Sequence, residues 1–304
     1  MASATTNPYG YTTSGFDLLH RPDSFLHEFG IRVAKWLGLP HLADHFSTLV
    51  YSALGFTVLH LVVAPGLSKV FASETYAKQR GRKARNNWNI HIVSIVNAVT
   101  LVVLSVRCFG HKTLSDDKIF GWHETIGTAN AVAVGYFLWD TIDAIVNFVD
   151  IGFVVHGAAC TLLYSLTFLP FLGYYSPRYL LWELSTPFLN IHWFLDKFGK
   201  TGSIAQYVNG VALLSSFFFV RIVYGWYMNY FFYGSLRAAW GQVNPVLIIT
   251  LAIGNVILNV LNIHWFNKMI SALRKRFDAD SKPLLGEQPR VHGQTIDHAT
   301  TTSQ

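Results

Sequence analysis

Residues 127–172 read GTANAVAVGYFLWDTIDAIVNFVDIGFVVHGAACTLLYSLTFLPFL. Two apolar runs, at about 127–147 and 151–172, meet around Val149 and Asp150. Each is close to the roughly 20 residues that a helix needs to cross the hydrocarbon core of a bilayer. The turn between them permits only a return, so the pair is expected to form an antiparallel hairpin of membrane helices.

Apolar runs of similar length lie on both sides, at about 47–70, 89–107, 179–196, 205–232 and 245–270. The composition agrees. The chain is 51% hydrophobic and 13% charged, with a mean hydropathy of +0.32, whereas a soluble domain is about a quarter charged. The expected fold class is all-α, a polytopic transmembrane helical bundle with about seven spans. The run at 179–196 is the least lipid-like, because it carries Glu183, Pro187 and His192. A short or broken helix is expected there, of the kind tolerated at membrane depth only inside protein or along a cavity.

Loop charge orients the bundle. The loop at 71–88 holds Lys78, Arg80, Arg82, Lys83 and Arg85, the loop at 197–203 holds Lys197 and Lys200, and the last run is followed by Arg274, Lys275 and Arg276. With seven spans all three basic segments share one side, which the positive-inside bias assigns to the cytosol. The C-terminus is then cytosolic. The same clustering accounts for the net charge of +6 without nucleic acid, which is not an expected partner. Oligomeric state is not fixed by these features.

The expected organisation has three parts. Residues 1–44 form an N-terminal segment, in which Phe25, Phe29, Val33, Trp36 and Leu37 recur at helical spacing and mark an interfacial helix. Residues 45–275 form the bundle, and residues 276–304 a disordered cytosolic tail. No basic stretch followed by an apolar core opens the chain, so a cleaved signal peptide is not expected. Cys108 and Cys160 form no Cys-x-x-Cys pair, and neither a metal nor another cofactor is expected. No nucleotide-binding glycine loop, His-Glu-x-x-His or Gly-x-Ser-x-Gly is present.

Polar groups inside the runs carry the functional information, since each ionisable one costs roughly 2.5–3.5 kcal/mol at the centre of a span and needs a partner. Asp140, Asp143 and Asn147 recur at steps of three and four, on one helix face. Proton handling, head-group binding and pairing with a neighbouring cation are all open to them. His156 stands alone in the next run. Glu183, Thr186 and Asn190 share a face beside Pro187, which frees a carbonyl one turn back. Arg221 is the natural partner for Asp140, Asp143 or Glu183. Leu189-Asn190-Ile191-His192-Trp193-Phe194 recurs as Leu261-Asn262-Ile263-His264-Trp265-Phe266. No longer stretch of self-similarity surrounds the two copies, so interfacial anchoring by Trp and His explains them more simply than a transporter-type repeat does.

Gly135-Tyr136-Phe137-Leu138-Trp139-Asp140, the hairpin leading to His156, the block Glu183-Leu184-Ser185-Thr186-Pro187-Phe188-Leu189-Asn190, and the closing Asn262, Trp265, Phe266 and Lys268 resemble the TLC-domain family, named for TRAM, LAG and CLN proteins. The resemblance covers about 88–275, and its Glu-Leu-Ser-Thr-Pro-Phe block is similar to the small TLC-domain-containing proteins rather than to the ceramide synthases. It implies a helical bundle around an intramembrane cavity, an endoplasmic reticulum membrane, a membrane lipid as partner and a role in lipid homeostasis. Asp140, Asp143, His156, Glu183, Thr186, Asn190 and Arg221 become the candidate lipid and cavity residues. The synthases use paired histidines. Here His156 matches the first, Gly157 replaces the second, and Asn97 stands where many relatives carry a histidine. If the pair supplies the base, half of an apparatus worth roughly 10²–10⁴ in rate is missing. The leading expectation is therefore binding, sensing or moving a lipid. An acyl-CoA-dependent lipid N-acyltransferase using His156 with Asp140 or Asp143 is the alternative, and a small-molecule transporter a further one.

Overall fold

The structure is a computed structural model that describes residues 25–280, with side chains as far as residue 273. The first part of the expected N-terminal segment, residues 1–24, and most of the expected disordered tail lie outside the described residues. Among the described residues there is no β-strand, and the chain is all-α. Eight principal helices follow in order. They are α1 (Phe25–Leu37), α2 (Leu42–Phe71), α3 (Arg82–Arg107), α4 (Glu124–Val146), α5 (Ile151–Leu166), α6 (Thr186–Lys197), α7 (Ile204–Ala238) and α8 (Pro245–Asp280). Five of these, α2, α3, α4, α7 and α8, are long and apolar enough to cross a membrane. The helix α5 is apolar but shorter. The compact body of the chain ends at Phe266, and α8 continues as helix to Asp280, past the expected boundary at 275.

The hairpin forms as the sequence implies. Asp150 caps α5, its carboxylate accepting from the Gly152 backbone N–H at 2.7 Å, so the acidic residue in the turn satisfies one of the orphan donors of the helix start. Close approach of α4 and α5 requires Gly157, because a Cβ there would stand 2.6 Å from Thr141 Oγ1 and 3.2 Å from Thr141 Cα. On the other side α4 packs along α2, and Gly135 admits the Leu49 carbonyl and Ser52. Such small residues let membrane helices approach to van der Waals contact.

One end of the α2–α4 pair is tied by polar contacts. His45 meets Glu124 at 3.0 Å, and His41 stacks on Trp122 with ring centroids 3.9 Å apart. Burial lowers His41 from its ordinary value to about 4, so it stays neutral at neutral pH. Cys108, just beyond α3, is pushed up to about 12 by burial and is held as the inert thiol.

The segment at 179–196 is broken. A short helix, Ser176–Leu180, runs into a tighter 3₁₀ turn, Leu181–Ser185, and then into α6 with Pro187 in its first turn. Proline fits there because a first-turn N–H has no helical acceptor to lose. Two long helices also carry a wide π-helical turn, Leu59–Val63 in α2 and Phe218–Tyr224 in α7. Such turns in α-helices frequently mark functional positions. Here the first holds His60 and the second Arg221.

The helix α1 packs on α2 through its small residues and leaves most of its apolar stripe outward. Gly30 and Ala34 are buried, with Gly30 against Phe46, while Phe25 and Trp36 are exposed. Only the small face allows so close a contact with α2.

Candidate functional site

A narrow cavity of about 80 Å³ lies inside the bundle. Its wall is almost entirely apolar and aromatic. Phe137 comes from α4, His156, Cys160 and Tyr164 from α5, Tyr179 and Trp182 from the broken segment, Phe232 from α7, and Leu251 and Leu258 from α8. Charge enters at one place, where Glu183 from the 3₁₀ turn and Arg221 from the π turn of α7 reach the lining.

Arg221 is buried and well supplied with partners. It donates from Nε to Ser185 Oγ at 3.1 Å, from Nη1 to Asn262 Oδ1 at 3.1 Å and from Nη2 to Thr186 Oγ1 at 3.3 Å, and Nη2 stands 3.7 Å from Glu183 Oε1. The guanidinium also lies over the Phe217 ring, 5.1 Å from its centroid. One cation thus ties the 3₁₀ turn, α6, α7 and α8 together. Of the three carboxylates that the sequence offers as its partner, the structure brings Glu183 to it.

The other sequence candidates divide between locations. Thr186 serves Arg221. Asn190 faces α3, donating to Ser94 Oγ at 3.0 Å and to the Thr186 carbonyl at 2.9 Å, with its Oδ1 against His91 Nδ1. Asp143 is not in the cavity wall. It lines a second groove, between α2, α3 and α4, of about 560 Å³. Asp140 lies beside Gly157 and belongs to neither lining. His156 does line the cavity, but no carboxylate stands within hydrogen-bond distance of it among the described residues. Its neighbours are the Trp265 ring, edge-on with centroids 5.2 Å apart, and Cys160 Sγ, 3.9 and 3.8 Å from the two ring nitrogens.

The repeated hexapeptide acquires a physical reading. In each copy the asparagine anchors a polar network, Asn190 toward α3 and Asn262 toward Arg221. In each copy the tryptophan meets a histidine, with Trp193 stacked on His91 at 4.0 Å and Trp265 edge-on to His156. These residues face protein rather than act only as interfacial anchors.

Several site residues escaped the sequence reading. Asn229, on α7, bridges to Asn255 and Asn259 of α8 at 3.0 Å each and accepts from the Tyr179 hydroxyl at 2.8 Å. Asn255 reaches the cavity. The signal was present, since Asn255, Asn259 and Asn262 recur at steps of four and three. Trp182 lines the cavity with its indole N–H buried and without an acceptor among the described residues.

The sequence model of the TLC domain matches residues 87–271. The chain is 36% identical over 279 residues to a TLC domain-containing protein of Schizosaccharomyces pombe, covering 89% of this chain and 93% of that one. It is 29% identical over 256 residues to another from Saccharomyces cerevisiae, covering 79% and 78%. It is 28% identical over 202 residues to human TLC domain-containing protein 4, covering 62% and 74%. No solved structure matches the chain. The matched region contains α4, α5, the broken segment and Arg221, so cavity and family coincide: the chain is an integral membrane protein of the TLC-domain family, with a lipid-related role in its membrane.

Proposed function

We propose that the protein binds a membrane lipid in the cavity beside Glu183 and Arg221, and by sensing or moving that lipid takes part in lipid homeostasis of the endoplasmic reticulum membrane, with its C-terminus in the cytosol. The observation that carries this reading is the shape of the chemistry in the wall. An apolar and aromatic wall ends at one polar station, which matches the chemistry of a molecule with hydrocarbon at one end and a head group at the other, and the cavity of about 80 Å³ widens to admit it. The station is rich in donors. Arg221 has no acceptor capacity and Trp182 has an N–H to spare, so an ester, amide or phosphate oxygen suits it. A buried polar ligand group gains most at a donor that otherwise stays unpaired, as the Trp182 indole N–H does among the described residues.

The acyltransferase alternative has one observation in its favour, the place of His156 in the wall. Against it stand the lack of a carboxylate to orient the imidazole and the packing of Gly157, which leaves no room for the second histidine. A base is normally held in register by such a third group. The two readings separate in a lipidomic comparison of cells with the wild-type chain, without it, and with His156→Ala. Deletion is expected to shift the abundance of one lipid class, and His156→Ala to keep the wild-type profile. If His156→Ala reproduces the deletion and one acylated product disappears, the enzyme reading replaces this one.

A further inference from the structure

We propose that the groove between α2, α3 and α4 is a second lipid site, separate from the cavity, which takes the head group of a glycerophospholipid bearing a primary amine. It shares no lining residue with the cavity.

The cationic half of the site is the start of α3. Arg82 and Arg85 line the groove and are exposed. They sit in the first turn of a helix whose cap, Gly81, offers no side chain, and in which no acidic residue occurs. Positive side chains at the positive end of a helix oppose its dipole, and the first N–H groups there lack partners. A phosphate answers both. A separate observation points to a ligand. One turn further in, Asn89 lines the groove at 7% exposure. Its Oδ1 accepts from the Tyr76 hydroxyl at 3.3 Å, while its amide N–H₂ donates to nothing among the described residues.

The anionic half is Asp143, at the far end of α4. Its carboxylate accepts from Asn86 at 3.2 Å to each oxygen and from Asn147 at 2.9 Å. No Lys, Arg or His pairs with it among the described residues. Amide donors steer the carboxylate and leave lone pairs free, and His60, in the same groove, forms no ion pair with it. An ammonium supplies both charge and N–H donors. A metal ion fits less well, since no cluster of metal-ligating side chains is found among the described residues. The apolar flank decides for a lipid over a free zwitterion. Leu54, Leu138 and Ile142 line the same groove with 55%, 38% and 54% of their surfaces exposed, a track along which an acyl chain can lie. Phosphate on Arg82 and Arg85, ammonium on Asp143 and chain on the leucines together describe one molecule.

Native mass spectrometry of the full chain tests this, with equal amounts of phosphatidylethanolamine, phosphatidylcholine and phosphatidic acid that share the same acyl chains. The wild type is expected to retain the ethanolamine lipid about tenfold better than the choline lipid, the weight of one charge-assisted hydrogen bond. Asp143→Asn should erase that preference. Arg82→Gln with Arg85→Gln, both exposed and therefore compatible with folding, should weaken retention of both lipids. Leu258→Trp, inside the cavity, should lower total lipid but leave the preference for the ethanolamine lipid over the choline lipid in place. Equal retention of all three lipids by the wild type overturns the site, as does a preference that survives Asp143→Asn or retention indifferent to the arginine pair.

Discussion

Arg221→Ala destabilises the protein by about 3–5 kcal/mol, as expected when one partner of a buried ion pair is removed and the other is left charged. Four polar groups lose their donor at once, namely Glu183, Ser185, Thr186 and Asn262. They belong to three separate elements, so the loss spreads through the junction of the 3₁₀ turn, α6 and α8. Thermal or denaturant unfolding in a fixed detergent measures it. Replacing both partners, as Arg221→Met with Glu183→Leu, should recover much of the loss, because well-packed apolar groups often match a buried pair in stability. The double variant separates stability from function. It restores the fold but removes the polar station, and bound lipid should not return. An Arg221→Ala protein as stable as wild type would show that the network does not hold the bundle.

Gly157→His carries the second large effect. It restores the paired histidines of the synthases at the level of sequence, yet even a Cβ at 157 stands 2.6 Å from Thr141 Oγ1 and 3.3 Å from Asp140 Oδ2. Overpacking of this kind costs typically 1–3 kcal/mol. Since Thr141 Cα, a backbone atom, lies at 3.2 Å, a cost of about 3 kcal/mol or more is expected, together with separation of α4 from α5. Gly157→Ala should show a smaller loss of the same sign. N-acyltransferase activity should be absent from both. A stable Gly157→His protein that acylates a sphingoid base would contradict the packing account and the functional one together.

The sequence discloses the hairpin because periodicity, length and the capping Asp150 all agree on it. It discloses Arg221 as a residue in need of a partner because a cation in an apolar run allows few alternatives. Where helix ends and turn widths decide geometry, it discloses less. Asp140 and Asp143 share a helix face by spacing, but they sit near the end of α4, where the third helix contributes Asn86. Asp143 is therefore drawn to the groove and away from the cavity. Glu183 and Asn190 also share a face on an ideal helix. The 3₁₀ turn before Pro187 rotates them apart, toward Arg221 and toward His91. No residue type announces the π turn that carries Arg221, since each of its residues is compatible with an α-helix. On α1 the apolar spacing marks the stripe left outward, while Gly30 and Ala34 decide what comes close to α2.

The central claim is that the cavity beside Glu183 and Arg221 holds a lipid. The most direct measurement is mass spectrometry of the lipid carried by the full chain after purification in mild detergent, wild type against Leu258→Trp, with unfolding temperatures recorded for both. Leu258 is buried in the cavity wall on α8, and an indole there occupies the space of the hydrocarbon. The account predicts a defined lipid class on the wild type and about tenfold less of it on a Leu258→Trp protein that still unfolds cooperatively. Equal lipid on both proteins, or none on the wild type above the detergent background, would contradict it.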